Sequence, residues 1–281
     1  MNYRHAYHAG NFADALKHWA LLATLERLTA KAKPFFALDT HAGAGFYDLA
    51  REPSGRTGEA DGGIGRLLTA AADAPESLQP YLDAVRALNE GEPALRWYPG
   101  SPYLIAARLR PEDRLIACDL EAGEGATLAE TLAPFPNAKH HLGDGYAAVP
   151  SMLPPTERRG LVLIDPPFER RDEFERLGRA AALGVKHFAN GVFALWHPIK
   201  DRAAVDAYLA ALPRPKGGLA QIELAVAAPT ADGPLTACGL TLLNPPYGLV
   251  ETIEAGLPWL AATLAAGDGA DARVRWLAAP A

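Results

Sequence analysis

The chain has 281 residues, 49% of them hydrophobic and 21% charged, a composition that supplies ample side chains for a packed core and excludes a disordered or stapled mini-scaffold. Its two cysteines, Cys118 and Cys238, each lie in an apolar run, so both are expected as buried thiols in a reducing cytoplasm rather than as a disulfide framework or a zinc site. The net charge of −6 argues against non-specific polyanion binding, and no stretch has the length of a membrane span or the apolar core of an export signal.

In chain order, Asn11 is placed to cap a helix with Asp14 at its third position, and Leu16, Trp19, Leu21, Leu25 and Leu28 recur at helical spacing up to Lys33-Pro34. One long amphipathic helix is expected there, its charged side chains solvated. Residues 1–33 nevertheless hold five basic side chains against two acidic ones, which leaves room for a basic patch. Phe35 to Asp39 reads as a buried strand running into the glycine turn Thr40-His41-Ala42-Gly43-Ala44-Gly45, with a helix expected after it. Residues 51–98 are bounded by Gly, Pro and charge and contain two helical patterns, one through Ile64, Leu67 and Leu68 and one through Leu82, Val85 and Leu88; they read as a helical insertion.

Strand and helix then alternate. Ser101-Pro102 opens a helix, Leu115 to Asp119 is a strand, Gly125 to Leu132 a helix, and Ala138 to Leu142 a strand meeting Gly143-Asp144-Gly145. Leu161 to Ile164 is a strand stopped at Asp165-Pro166-Pro167-Phe168, because proline cannot continue a ladder. A charged helix through Phe174 and Leu177 follows. Strands at Gly191 to His197, Gln221 to Ala227 and Leu240 to Leu243, a helix at Ala203 to Leu212, a helix through Ile253 and Leu260, and a closing strand at Val274 to Leu277 complete the chain. This alternation implies right-handed crossovers and a mainly parallel sheet covered on both faces. The division expected is residues 1–50 and 99–281 for one α/β domain, interrupted by 51–98.

Ligands of open α/β sheets bind beyond the carboxyl ends of the strands. Four such ends carry polar signals here: Asp39 to Gly45, Asp119, Asp144-Gly145, and Asp165 to Phe168. The glycine turn lacks the third glycine of a dinucleotide fingerprint, where Asp48 stands, and the Lys-Ser or Lys-Thr of a phosphate loop, where Phe46-Tyr47 stands. A cationic, phosphate-free ligand such as S-adenosylmethionine suits acids instead, one carboxylate accepting ribose hydroxyls and another the adenine amine. Gly43 and Gly45 would let the turn approach that ligand.

Asp165-Pro166-Pro167-Phe168 fits an exocyclic aromatic amine. Its nitrogen lone pair is delocalised into the ring, so attack on a methyl group needs acceptors that hold both N–H bonds. A carboxylate and a backbone carbonyl supply them, two prolines stiffen the corner, and Phe168 offers a face for an unstacked base. Alone, the tetrapeptide reads equally as a strand stop with Phe168 in the core; beside the glycine turn and the acids it reads as a site. Asn244-Pro245-Pro246-Tyr247 looks similar, but its strand is expected to run antiparallel and end at the opposite edge, so Asn244 is assigned a turn-forming role.

Tyr3-Arg4-His5 through His8-Ala9-Gly10-Asn11 to Lys17-His18, then Asp39-Thr40-His41-Ala42-Gly43-Ala44-Gly45, Tyr98-Pro99-Gly100-Ser101-Pro102 and Leu163-Ile164-Asp165-Pro166-Pro167-Phe168-Glu169 together resemble the bacterial 23S ribosomal RNA adenine-N6 methyltransferase J family. The resemblance runs almost end to end, through Ala194-Leu195-Trp196 and Pro258-Trp259-Leu260. It implies a class I methyltransferase with a Rossmann-like seven-stranded sheet, a monomer acting in the cytoplasm on one adenine of 23S rRNA, position 2030 in the bacterial rRNA numbering, with S-adenosylmethionine as donor and S-adenosylhomocysteine as product. By motif, His18, His41, Ser101, Asp119, Asp144 and Gly145 would contact the cofactor, and Asp165 the target amine. His41 stands where methyltransferases at large have glycine, and its imidazole is expected on the cofactor's carboxylate. Asp119 is one methylene shorter than the glutamate that can fill its role, and Phe168 lacks the hydroxyl of a tyrosine.

Tyr3, His5 and Lys17 are expected to face the RNA because Lys17 shares a helix with His18; their alternative is a polar surface segment. His5-x-x-His8 lacks further ligands nearby, so no metal is expected. The rival readings are a DNA adenine-N6 or cytosine-N4 methyltransferase and a non-catalytic RNA-binding or ribosome-assembly protein.

Overall fold

A computed structural model describes residues 8–50, 58–229 and 233–281. Helix α1 (Phe12–Thr29) starts where the sequence places it: the Asn11 side-chain carbonyl accepts the amides of Ala13 and Asp14, and Asp14 reaches back to the Gly10 amide. It is not amphipathic, however. Nearly every side chain from Phe12 to Leu25 is buried, including Lys17 and His18, because the helix is enclosed by the sheet, the insertion and the late helix of the chain.

Strand β1 (Phe36–Asp39) is buried along its whole length. The helix expected after the glycine turn does not form there. Instead β2 (Phe46–Asp48) pairs antiparallel with β3 (Trp97–Pro99), and Phe46 stacks on Trp97 with centroids 5.4 Å apart. Aromatic side chains prefer this pleated pairing, and the ribbon carries the chain into and out of the insertion. The helix after the turn is α4 (Ser101–Ala106), beginning as the chain returns from the insertion, where the Gly100 amide donates to the Gly45 carbonyl at 2.8 Å.

Within the insertion, α2 (Arg66–Thr69) and α3 (Gln79–Leu88) bury Leu67, Tyr81, Leu82 and Val85 in the same core as α1. Ile64 donates its amide to the Gly10 carbonyl at 2.8 Å, and a Cβ on Gly63 would lie 2.0 Å from that oxygen, so only glycine lets the insertion sit so close to the entrance of α1.

The remaining elements are β4 (Arg114–Asp119), α5 (Ala122–Leu132), β5 (Ala138–Leu142), α6 (Gly145–Met152), β6 (Gly160–Ile164), α7 (Glu173–His187), β7 (Val192–Pro198), α8 (Arg202–Ala211), β8 (Leu219–Ala225), β9 (Ala237–Leu243), α9 (Leu249–Leu264) and β10 (Asp271–Ala278). Short α6, with Pro150 inside it, has no apolar periodicity to announce it; only Asp144, whose carboxylate accepts the Tyr146 amide, marks its start.

The main sheet runs β10-β8-β9-β7-β6-β1-β4-β5. β5, β4, β1, β6 and β7 are parallel neighbours, and β9 is inserted antiparallel between β7 and β8. This is the Rossmann-like seven-stranded arrangement of a class I methyltransferase, extended by β10, which pairs antiparallel with β8. One core lies under α1, the insertion, α4, α5 and α9; the other lies under α6, α7 and α8. Strand order reverses between β1 and β6, so the carboxyl ends at Asp39 and Asp165 flank the crevice where such sheets take ligands.

Asn244 closes β9 at the opposite edge. It adopts a left-handed backbone, donates to the carbonyls of Ala189 and Gly191, and accepts the Gly217 amide, which is the turn-forming role expected of it.

Candidate active site

The glycine turn after β1 is tied to both neighbouring strands, with the Thr40 amide on the Leu163 carbonyl and the Ala42 amide on the Cys118 carbonyl. Gly43 and Gly45 both have positive φ, which an L side chain would strain. Asp119 at the end of β4 staples this turn: one carboxylate oxygen accepts the Gly43 amide at 3.0 Å and the other the Glu121 amide at 2.8 Å. At the end of β5, Asp144 caps α6 and lies 3.4 Å from the Arg176 guanidinium, which stacks over Tyr146. A Cβ on Gly145 would stand 1.8 Å from the Thr40 carbonyl oxygen, so the β1 and β5 turns meet at a distance only glycine permits.

Beneath the turn, Asp39 is fully buried and accepts the Ser101 hydroxyl at 2.6 Å. Burial pushes its carboxyl up to about 6, against the Ser101 hydrogen bond and the Lys17 charge that favour ionisation. Its second oxygen is buried without a hydrogen-bond partner. His41 is pushed down to about 4 by burial, the nearby Asp144 only partly opposing it, so the ring is neutral at pH 7. Thr40 spends its hydroxyl proton on the Leu163 carbonyl and lies 2.8 Å from His41 Nδ1. That pattern assigns the ring proton to Nδ1 and leaves Nε2 as an acceptor.

Asp165 projects from the end of β6, its side chain 12% exposed. Lys17 Nζ lies 2.5 Å from it and 2.8 Å from Asp14, and the lysine is only 4% exposed. Burial alone would discharge this ammonium; the two carboxylates outweigh burial and hold it well above the ordinary lysine range. Pro166 is buried, whereas Phe168 turns into a left-handed backbone that sets its ring edge-on to Phe174, centroids 4.9 Å apart, and to Trp196 at 5.9 Å.

Two cavities meet at this corner. The first is lined by His41, Gly43, Ser101, Asp119, Asp144, Gly145 and Asp165 among others, so seven of the residues expected at a cofactor share one cleft. The second, of about 630 Å³, opens over the ends of β6, β7 and β8, with Phe168 and Trp196 in its wall. Lys17, Asp165 and Pro167 border both.

Several expectations are redistributed. His18 does not line either cleft: it is fully buried, 2.7 Å from the Tyr98 hydroxyl and stacked on that ring. Gly45 packs away from the cleft, where a Cβ would lie 2.9 Å from Pro102. Lys17 is not an outward cation for RNA phosphates, since both its neighbours are carboxylates inside the fold. Tyr3 and His5 lie outside the described residues. Sequence reading missed Tyr146, Arg170, Glu173 and Arg176 in the first cleft, although Arg170 follows the tetrapeptide closely. It also missed Arg66, Trp196 and Lys200 in the second, which come from distant parts of the chain. Among the described residues no group of three or more His, Cys, Asp or Glu is placed to hold a metal ion.

The family model described as ribosomal RNA large subunit methyltransferase D, RlmJ, matches residues 32–278. Proteins named ribosomal RNA large subunit methyltransferase J from Haemophilus influenzae and Escherichia coli are 38% and 37% identical to this chain, each match covering 99% of both sequences. A crystal structure of a Legionella pneumophila protein superposes with a TM-score of 0.86 at 32% identity, covering 96% of this chain and 98% of that one.

Proposed function

The chain belongs to the large-subunit ribosomal RNA methyltransferase J family, and from that premise we propose that it methylates N6 of one adenine in 23S rRNA, in the cytoplasm, with S-adenosylmethionine as donor. The observation that carries this reading is the corner at Asp165, where an acid-lined cleft and an aromatic-walled cavity open to the two sides of one carboxylate.

The first cleft suits the donor. Asp119 and Asp144 retain acceptor capacity beyond the amides they bind, Gly145 and Gly43 allow close backbone approach, and the buried Asp39 oxygen supplies negative potential beneath a cationic ligand. With His41 neutral and its Nε2 an acceptor, the ring matches an ammonium group of that ligand better than the carboxylate expected from sequence. When bound, the donor supplies an electrophilic methyl group on a sulfonium.

In the second cavity, the Asp165 carboxylate accepts one N–H of the target amine and a backbone carbonyl of the tetrapeptide the other, which localises the nitrogen lone pair toward the methyl group. The two proline rings restrict φ and hold both acceptors in place, and Phe168 provides the ring against which the base is set. Asp165 then takes the proton that the amine nitrogen loses once its bond to carbon forms. Lys17 is a positioning residue: its ammonium fixes the carboxylate's direction and balances its charge in a dry corner, and Asp14 in turn fixes Lys17.

Incubating the protein and donor with deproteinised 23S rRNA and mapping the modified nucleotide tests the reading, with duplex DNA as the parallel substrate. One N6-methyladenine in the rRNA and none in the DNA is the expected result; methyl transfer to DNA, or donor binding without transfer, would refute it.

A further inference from the structure

The 630 Å³ cavity has a charge pattern that the methyl-transfer chemistry does not require. Its carboxylates are already engaged: Asp14 and Asp165 with Lys17, and Glu59 with His8 and Asn11. Two cations on its lining are not. Arg66, at the start of α2 in the insertion, donates to the Ala265 carbonyl at 2.7 Å, and Lys200, just past β7, donates to the Gly233 carbonyl at 3.1 Å. Both contacts are exposed, and neither side chain makes an ion pair among the described residues.

A neutral carbonyl directs each cation without cancelling its charge, so two oriented positive groups border the cavity of a protein that is acidic as a whole. The partly buried indole of Trp196, edge-on to Phe168, lines the same cavity. Aromatic faces with cations alongside are what an unstacked nucleotide requires, because every base has a face to stack and each neighbouring phosphate carries a charge.

Building on the adenine-methyltransferase reading, we infer that Arg66 and Lys200 clamp the RNA phosphates flanking the extruded target nucleotide while Trp196 joins Phe168 as the wall against its base. The clamp gives the helical insertion a direct part in substrate binding, through Arg66. It also reconciles a net-acidic chain with an RNA substrate: the contact is a local, oriented pair rather than a broad basic surface.

The test uses the full-length protein and deproteinised 23S rRNA, reading rRNA affinity, methyl transfer and cofactor affinity between 50 and 200 mM salt, the range over which phosphate contacts lose about three or more decades of affinity in strongly salt-dependent complexes. Arg66→Gln and Lys200→Gln should each weaken rRNA binding several-fold and reduce the slope of log affinity against log salt by about 0.7, the single-strand value per phosphate contact. The turnover number at saturating RNA, cofactor affinity and melting temperature should stay at wild-type values, and Arg66→Lys should restore most of the binding. Trp196→Leu should weaken binding about tenfold with no change in salt slope, and Trp196→Phe should recover it. Wild-type affinity and salt slope in both glutamine variants would overturn the clamp, as would a fall in turnover with the slope intact. Absence of rRNA methylation by the wild-type protein would instead defeat the adenine-methyltransferase reading, which the binding arms distinguish from failure of the clamp.

Discussion

Asp165 is paired with an enclosed lysine, and this pairing decides what substitutions at the corner do. Asp165→Asn keeps the shape but offers one acceptor and no base, so turnover should fall by about 10²–10⁴-fold while the cofactor dissociation constant changes little. Single-turnover transfer of a labelled methyl group, with a parallel cofactor titration, checks both halves. Lys17→Met leaves Asp14 and Asp165 facing each other without a counter-ion inside the fold. Breaking a buried pair in this way costs about 3 kcal/mol or more, so the denaturant midpoint should drop markedly, whereas the salt dependence of rRNA binding should be retained. The tetrapeptide made Asp165 legible in the sequence once it was set beside the glycine turn and the acids closing the other strands. The role of Lys17 was not legible: its partner lies 148 residues away, and only packing brings them together.

Elements of similar sequence diverge according to where the sheet delivers them. Asp165-Pro166-Pro167-Phe168 ends a parallel strand at the ligand crevice, whereas Asn244-Pro245-Pro246-Tyr247 ends an antiparallel one at the far edge. Asn244→Ala removes three hydrogen bonds and a residue tolerant of the left-handed region, so stability should fall by about 2 kcal/mol with methyl transfer per folded molecule unchanged. Equilibrium unfolding beside a kinetic assay tests it; lost turnover without lost stability would contradict it. At the β5 turn, Gly145→Ala forces a methyl group onto the Thr40 carbonyl and should push α6 from the cleft, weakening cofactor binding by about tenfold, the equivalent of 1.4 kcal/mol of misfit. Calorimetric titration of the cofactor reads this directly. Strand ends and their acids were legible because a buried run stopped by a polar residue is local information. The ribbon β2–β3 was not, since its strands of three residues are separated by the whole insertion.

Across the whole molecule, buried titratable groups set the response to pH. His41 and His197 are both pushed down to about 4 by burial, whereas an exposed histidine titrates near 6.5. Between those values the unfolded chain takes up protons that the folded chain refuses, so stability falls as pH falls through that window, on the order of 2–3 kcal/mol for each imidazole. Asp39 acts in the opposite sense: pushed up to about 6 by burial, it stabilises the fold below its unfolded value of 3.8 and loses that contribution as pH rises to 6. His8, raised by its hydrogen bond to Glu59, acts in the same sense as Asp39, and the two imidazoles lowered by burial outweigh both, which leaves a net loss on acidification. Lower still, Asp113, Glu157 and Glu223 add to the loss, because arginine partners hold them below the usual carboxylate range despite burial. Chemical unfolding at pH 7 and pH 4.5 should show a drop of about 3 kcal/mol; equal or greater stability in acid would contradict the assignment.

The strands of the main sheet, the glycine turn, the acid at each strand end and the stiff acidic tetrapeptide were determined by the sequence alone, because each depends on neighbours within a few residues. The tertiary structure decided what depends on distant groups meeting. It enclosed α1 so that Lys17 became a buried counter-ion, placed His18 behind the site, paired β2 with β3 across the insertion, and set Arg66 and Lys200 on one cavity. Charge and burial act through space, and the distances they depend on exist only once the sheet has brought remote segments together.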